Sequence, residues 1–337
     1  MIKTLFLLLL ACSLYAGEKS YAILLQYHRF DESKYPSTNI SAIRFEKHLR
    51  YLKEHHFHVL PLSTIVESLQ NGKQLPPKTV AITIDDAYKS VYTVAYPLLK
   101  KYNYPFSVFV NSAPVKHHSK NFMSIEQMKE MGKNGAEFGN HTDTHQYLVR
   151  YDGAVLEKEV TKEILRCEDF LENNLKPYLL KQKMLAYPFG EYDTRVQKIV
   201  QKLGYIGIAQ NSSPINAQSD FTALTRFPMA GPFGSMKSFA LKVNTQPMGV
   251  SATVPQDTLV QENNNPPQLV LTLSSQYKGI NCFTSDGTPI TIQKLSNTQL
   301  RMVSKKRLSY PRDHYTCTAP TGDGDWYWYS KMWVVLK

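Results

Sequence analysis

Thr79-Val80-Ala81-Ile82-Thr83-Ile84-Asp85-Asp86 decides how this chain is read. Residues 79–84 are all apolar or β-branched and do not alternate with polar ones, as in a strand covered on both faces. The run stops abruptly at two carboxylates. In a barrel of parallel strands, the residues at C-terminal strand ends sit on the active-site face. Two neighbouring carboxylates there can be separated by environment into a metal ligand and a base. Alone, such a pair also fits a structural or capping role.

Working outward, similar short runs recur at Tyr21–Gln26, Phe57–Leu60, Pro105–Val110, Ala136–Gly139, Met184–Tyr187 and Tyr205–Ala209. Helical patterns separate them. Phe45, Leu49 and Leu52 fall on one helical face, and Ser124 and Gln127 have capping-box spacing. Thr194 is the expected cap of a helix that turns Val196, Ile199, Val200 and Leu203 inward, and Gly204 can end it. Repeated βα units imply parallel strands. Seven strands between residue 21 and about 240 favour a closed or nearly closed barrel over an open sheet.

The texture changes after about residue 245. Residues 245–267, rich in Pro, Asn, Gln and Thr, are expected to be a linker. Alternating strands follow, such as Gln268–Leu273 and Pro289–Gln293, with an Asp286-Gly287 turn. The tail carries Trp326, Trp328 and Trp333, all three tryptophans of the chain. We expect a small all-β, sandwich-like domain over 268–337. Its aromatics serve either its core or a sugar-stacking face.

Composition bounds the class. The chain has 337 residues, 42% hydrophobic and 20% charged, so it can bury a core and is neither disordered nor fibrous. The net charge is +11, but no Lys/Arg block or nucleic-acid module accompanies it, which argues against a nucleic-acid partner. Lys3 followed by a short run of leucines reads as a signal peptide over 1–16, too short for a span. The expected location is therefore periplasmic or extracellular, with the chain peripheral to the envelope at most. Leu9-Leu10-Ala11-Cys12 is also an imperfect lipoprotein box, which would make Cys12 a lipid anchor. Export permits disulfides, and Cys282 and Cys317 are the natural pair, with Cys167 a buried single thiol.

Two more segments carry chemistry. Gly139-Asn140-His141-Thr142-Asp143-Thr144-His145 sets two histidines four apart, able to point at one ion from a helix or a tight turn. With one carboxylate they form a facial site that leaves positions open. Ala186-Tyr187-Pro188-Phe189-Gly190-Glu191-Tyr192-Asp193 is a strand end that can turn sharply and expose a backbone N–H to an oxyanion.

Taken together and in this order, these three segments resemble the polysaccharide deacetylases of carbohydrate esterase family 4 over roughly residues 20–235. The resemblance implies a distorted (β/α)7 barrel, spanning 17–244 here, that hydrolyses N-acetyl groups on sugars. It implies Asp86, His141 and His145 as ligands of one divalent ion, zinc first, with cobalt or nickel as alternatives. It implies Asp85 as general base and the Phe189 N–H as oxyanion donor. Tyr27, Pro188 and Tyr192 are expected beside the substrate. Two positions depart from the pattern. Many members carry an Arg where this chain has Ala186, and Arg226 is the candidate replacement. The usual Leu-x-x-His acid is missing between His145 and the linker. His28, in Leu25-Gln26-Tyr27-His28, instead looks like the N-terminal acid of bacterial poly-β-1,6-N-acetylglucosamine deacetylases, with Asp31 or Asp193 to orient it.

The expected partner is an N-acetylglucosamine-containing polysaccharide, with biofilm poly-N-acetylglucosamine favoured over peptidoglycan or chitin-like chains. The competing readings are a non-catalytic carbohydrate-binding matrix protein on a relic barrel, and a hydrolase of another amide.

Overall fold

The computed structural model describes residues 20–337; the expected signal peptide and Cys12 lie outside the described residues. Strands β1 (Tyr21–Tyr27), β2 (Thr79–Asp85), β3 (Phe106–Val110), β4 (Ala136–Asn140), β5 (Met184–Ala186) and β6 (Ile206–Ile208) are parallel neighbours in that order. A short β7 (Phe227–Pro228) runs parallel to β1, opposite Leu25 and Gln26. Just before it, Leu224 bridges Ile208 of β6. Residues 224–228 therefore touch both ends of the curled sheet and bring it to near closure. The expected barrel is present, but its seventh staff is β7 and not the run at 57–60. His58–Val59 pairs only with Thr79 and Val80, below the point where β3 takes over that edge at Thr83.

Helices cover the outside, with α2 (Leu62–Gln70), α3 (Tyr96–Tyr102) and α4 (Ser112–Lys116) among them. α1 (Ala42–Glu54) buries Phe45, His48, Leu49 and Leu52, and α5 (Ile125–Lys133) starts on the full Ser124/Gln127 capping box. α6 (Leu156–Leu175) packs on β4. In α7 (Thr194–Lys202) the cap is Asp193, whose carboxylate accepts from the Val196 N–H, so Thr194 is the first helical residue and not the cap. Beyond it Gly204 takes φ +78°, where a glycine stop costs least. α8 (Met236–Val243) ends the barrel region.

Two mainly antiparallel sheets follow. One pairs Arg312–Pro320 with Trp326–Val335 and Asn281–Phe283; the other runs in the order Val250–Val254, Gln268–Leu273, Gln299–Ser304, Ile290–Lys294. The stretch 245–267 is not a linker. Gln246–Pro247 and Leu259–Val260 both add to the edge of Trp326–Val335. Proline and asparagine suit such short edge pairings, so their density there marks edges and not slack chain. Leu269, Leu271, Met302 and Trp333 fill the space between the sheets. Cys282 and Cys317 face each other across one strand pair and are disulfide-bonded; Cys167 is buried and free. The two parts share a core. Met332 and Val334 of the last strand pack with Leu185, Tyr187 and Val196 of the barrel. Among the described residues, no helix is long and apolar enough to cross a membrane.

Candidate active site

β2 is buried along its whole length and delivers Asp85 as its last residue. Asp86 then takes φ +61°, a left-handed turn that lets adjacent carboxylates serve different partners. Asp85 is held on three sides. Arg226 donates Nη1 to its Oδ1 at 2.6 Å and Nη2 to its Oδ2 at 2.8 Å, and Gln26 Nε2 donates to Oδ2 at 2.6 Å. Arg226 is fully buried and is itself fixed by the Ala209 carbonyl and the Thr83 hydroxyl. It supplies, from the closing segment, the guanidinium that Ala186 lacks. Burial pushes the Asp85 carboxyl up, but the Arg226 pair overrides it and holds the group well below the ordinary carboxylate range.

Asp86 Oδ1 lies 3.6 Å from Nε2 of both His141 and His145. The ligand atoms of the three all fall within 4.8 Å of one another. The histidines come from the loop after β4, not from a helix, with Thr142 at φ +65° and His145 at φ +58°. That loop is well anchored. Asn140 Oδ1 accepts from the Thr142 N–H, and Glu163 on α6 accepts from the Thr144 N–H and hydroxyl. Asp143 Oδ1 takes the Ser112 hydroxyl and Lys116.

The donor set fits a divalent cation. His141 Nδ1 is 2.7 Å from the Ala186 carbonyl oxygen, so that nitrogen carries the proton and Nε2 is left as a free lone pair toward Asp86. Burial, with His141 next to it, pushes His145 down to about 4, so it is neutral as a ligand must be. Two imidazoles and one carboxylate suit zinc and its neighbours in the first transition row.

His28, after the end of β1, has Nε2 3.8 Å from Asp85 Oδ2. Burial lowers its pKa, with Asp85 and Asp86 opposing the shift. Neither expected orienter reaches it. Asp31 accepts from the Ala42 N–H, and Asp193 caps α7 and pairs with Arg195. Asp85 itself is the neighbouring carboxylate.

Phe189 sits in a tight turn at φ +58°, where the N–H lies in a first turn with no intrahelical acceptor. Its ring stacks on Tyr147 at 3.8 Å and packs edge-on to His145 at 4.5 Å, so the turn is joined to the Asp-His-His triad. Pro188 is buried and shapes the turn. Two expectations fail. Tyr27 is 1% exposed, gives its hydroxyl to His48 Nδ1 and packs on Phe30 and Phe45, so it is core and not a substrate contact. Tyr192 is buried against Tyr187, on the side facing α7, away from the triad. In β1 the residue before Tyr27, Gln26, is the one that reaches the site, because neighbours on a strand point to opposite faces.

Several site residues had no motif behind them. The Arg29 guanidinium lies 3.4 Å over the Tyr88 ring, and burial, with the Asp86 carboxylate nearby, raises the pKa of the Tyr88 hydroxyl. Glu191 is buried between Arg312 at 2.6 Å and Arg150 at 3.8 Å. Arg312 comes from the C-terminal sheet, and its guanidinium also lies 5.6 Å from the Phe189 ring centre. A polar residue in an otherwise apolar strand was the one signal for Gln26; the others needed the fold.

A near-closed barrel thus carries, at its strand ends, an Asp-His-His triad beside a buried Asp-Arg pair. Residues 72–208 match the polysaccharide deacetylase family. Among its relatives, the poly-β-1,6-N-acetyl-D-glucosamine N-deacetylase of Staphylococcus aureus is 29% identical over 209 residues, covering 56% of this chain and 71% of that protein. IcaB from Ammonifex degensii superposes with a TM-score of 0.56 at 25% identity, covering 66% of this chain and 95% of that one. The Streptococcus pyogenes deacetylase PplD, solved with acetate, gives a TM-score of 0.60 at 24% identity over 67% of this chain and 99% of its own, a likeness of fold.

Proposed function

We propose that the protein is an exported, metal-dependent enzyme that removes N-acetyl groups from an N-acetylglucosamine polysaccharide, with the β-1,6-linked polymer as first candidate. The observation that carries this is the meeting of the triad Asp86, His141 and His145 with the Arg226-held Asp85. The relative in Staphylococcus aureus supports the linkage, and the leucine run after Lys3 supports export.

Asp86, His141 and His145 would hold the ion. Bound there, a divalent ion would polarise the acetyl carbonyl and lower the pKa of water. The chain's own groups supply the remaining steps. Asp85, ionised at every working pH, accepts the proton from the attacking water. Arg226 and Gln26 fix the orientation of its oxygens. The Phe189 N–H stabilises the negative charge that develops on the carbonyl oxygen. The amine leaves once protonated, and His28, beside Asp85, delivers that proton. Because burial holds His28 neutral at rest, it receives its proton within the cycle from the Asp85 side.

The test is acetate release by the mature protein from β-1,6- and β-1,4-linked N-acetylglucosamine oligomers, after chelation and after adding zinc, cobalt or nickel. Metal-restored release with the β-1,6 oligomer preferred is expected. Asp85→Asn keeps the metal and loses roughly 10²–10⁴ in rate, whereas His141→Ala loses both. Tight oligomer binding without release under any metal would overturn the reading in favour of a binding protein.

A further inference from the structure

The mouth of the barrel does not end at Phe189. That residue also lines a groove of about 790 Å3 between the barrel rim and the C-terminal sheet, in the size range of built ligand sites. Phe233 and Leu241 line it from the barrel side, and Arg312, His314, Trp326 and Trp328 from the sheet. Phe233, Leu241 and Trp326 are 56%, 39% and 37% exposed. Large apolar side chains left in water singly are ordinary, but three gathered in one concavity mark a binding surface. Ser and Thr hydroxyls make up much of the remaining wall, and none of the lining residues is Asp or Glu. Trp328 Nε1 and His314 Nε2 are buried without a hydrogen-bond partner among the described residues. Apart from Ser37 and Phe189, every lining residue follows residue 208, where the family match ends.

We propose that this groove holds the sugar rings next to the one being hydrolysed, and that it selects neutral, N-acetylated stretches over those already carrying free amines. The inference rests on the deacetylase reading above. The occupant follows from continuity: Phe189 belongs both to the turn packed on His145 and to the groove wall, so a polymer threaded past the triad runs into it. The chemistry agrees. A pyranose ring presents C–H faces to aromatic rings and hydroxyls to Ser and Thr. An ammonium entering the groove meets Lys237 and finds no free carboxylate on the wall, since Arg312 is already paired with the buried Glu191 behind it. Chain segments already processed are thereby turned away, and fresh ones are retained.

The test compares fully acetylated β-1,6-linked pentamer and dimer as substrates of the full-length protein. In the double variant Phe233→Ala/Trp326→Ala, the preference of kcat/KM for pentamer over dimer falls about tenfold, from two lost stacking contacts. Trp326→Phe keeps most of it, which separates stacking from a folding defect. Binding is measured on Asp85→Asn protein by calorimetry. The acetylated pentamer binds more tightly than the same pentamer with free amines, and the double variant removes that difference. Equal losses for pentamer and dimer, or equal binding of the two pentamers, would overturn the groove proposal. If the unmodified enzyme releases no acetate from any oligomer, the deacetylase reading fails, and the calorimetric arm still decides the groove.

Discussion

Replacing Arg226 with methionine removes the bidentate partner of a carboxylate that is almost wholly buried. The two side chains are 0% and 2% exposed, so solvent does little to screen the pair. Breaking a buried pair from one side costs about 3–5 kcal/mol, a large share of a domain's usual ~5–15 kcal/mol. Gln26 alone remains as a donor to Asp85. The sign with pH is specific. In the parent, Asp85 titrates below its unfolded value, so its contribution is full above that value and is lost as pH falls through the folded one. In Arg226→Met, burial acts without the guanidinium and raises Asp85 above its unfolded value. The unfolded chain then ionises first as pH rises, and the deficit relative to the parent grows from pH 4 to pH 7. The assay is chemical unfolding of chelator-treated protein at several pH values, for the parent, Arg226→Met, Asp85→Asn and the double variant. In the double, a neutral amide faces a neutral side chain, and most of the loss is recovered. If the double variant is no more stable than Arg226→Met alone, the buried pair does not carry the coupling ascribed to it.

Three further outcomes follow from the same structure. His28→Ala keeps the metal by elemental analysis but lowers the rate by roughly 10²-fold, and the loss is smaller for substrates whose leaving amine needs no proton. Arg312→Leu strips a neighbour from Glu191, buried at 0% exposure; it lowers stability by roughly 2 kcal/mol, less than a fully sealed pair because Arg312 is about a third exposed, and it raises KM through the loosened Phe189 turn. His48, sealed between the Tyr27 hydroxyl and the Gly234 carbonyl and pushed down to about 4 mainly by burial, makes the fold lose stability as pH falls from its unfolded value near 6.5 toward 4; His48→Leu flattens that part of the acid-unfolding profile.

What the sequence made legible follows physical lines. The strand runs and helix faces were readable because each is a local pattern of burial, and all seven runs contain strands. The triad was readable because its chemistry needs rare residue types at set spacings. Tyr27 was misplaced because the alternation of a strand hides which of two neighbours, Gln26 or Tyr27, faces the site. β7 was invisible because two residues carry no period. The stretch 245–267 was misread because edge pairing through short segments uses the same Pro and Asn that loops use. Arg226 stood out only as a candidate, since its distance from Asp85 in the chain says nothing of their contact.

The closing segment has a consequence for how the molecule is made. Arg226 and Asp85 are separated by 141 positions. Residues 215–216 pair with Tyr21 and Ala22, but until residues 224–228 are available the rest of β1 and the edge of β6 stay open, each a template for unwanted strand pairing. The partner of Asp85 is thus among the last parts of the barrel to be synthesised, and contacts of such separation form slowly. A chain interrupted before this point would carry every ligand of the triad and still be an aggregation hazard with an unguarded carboxylate. In this protein, the buried Asp85–Arg226 pair and escape from misassembly arrive with the same few residues.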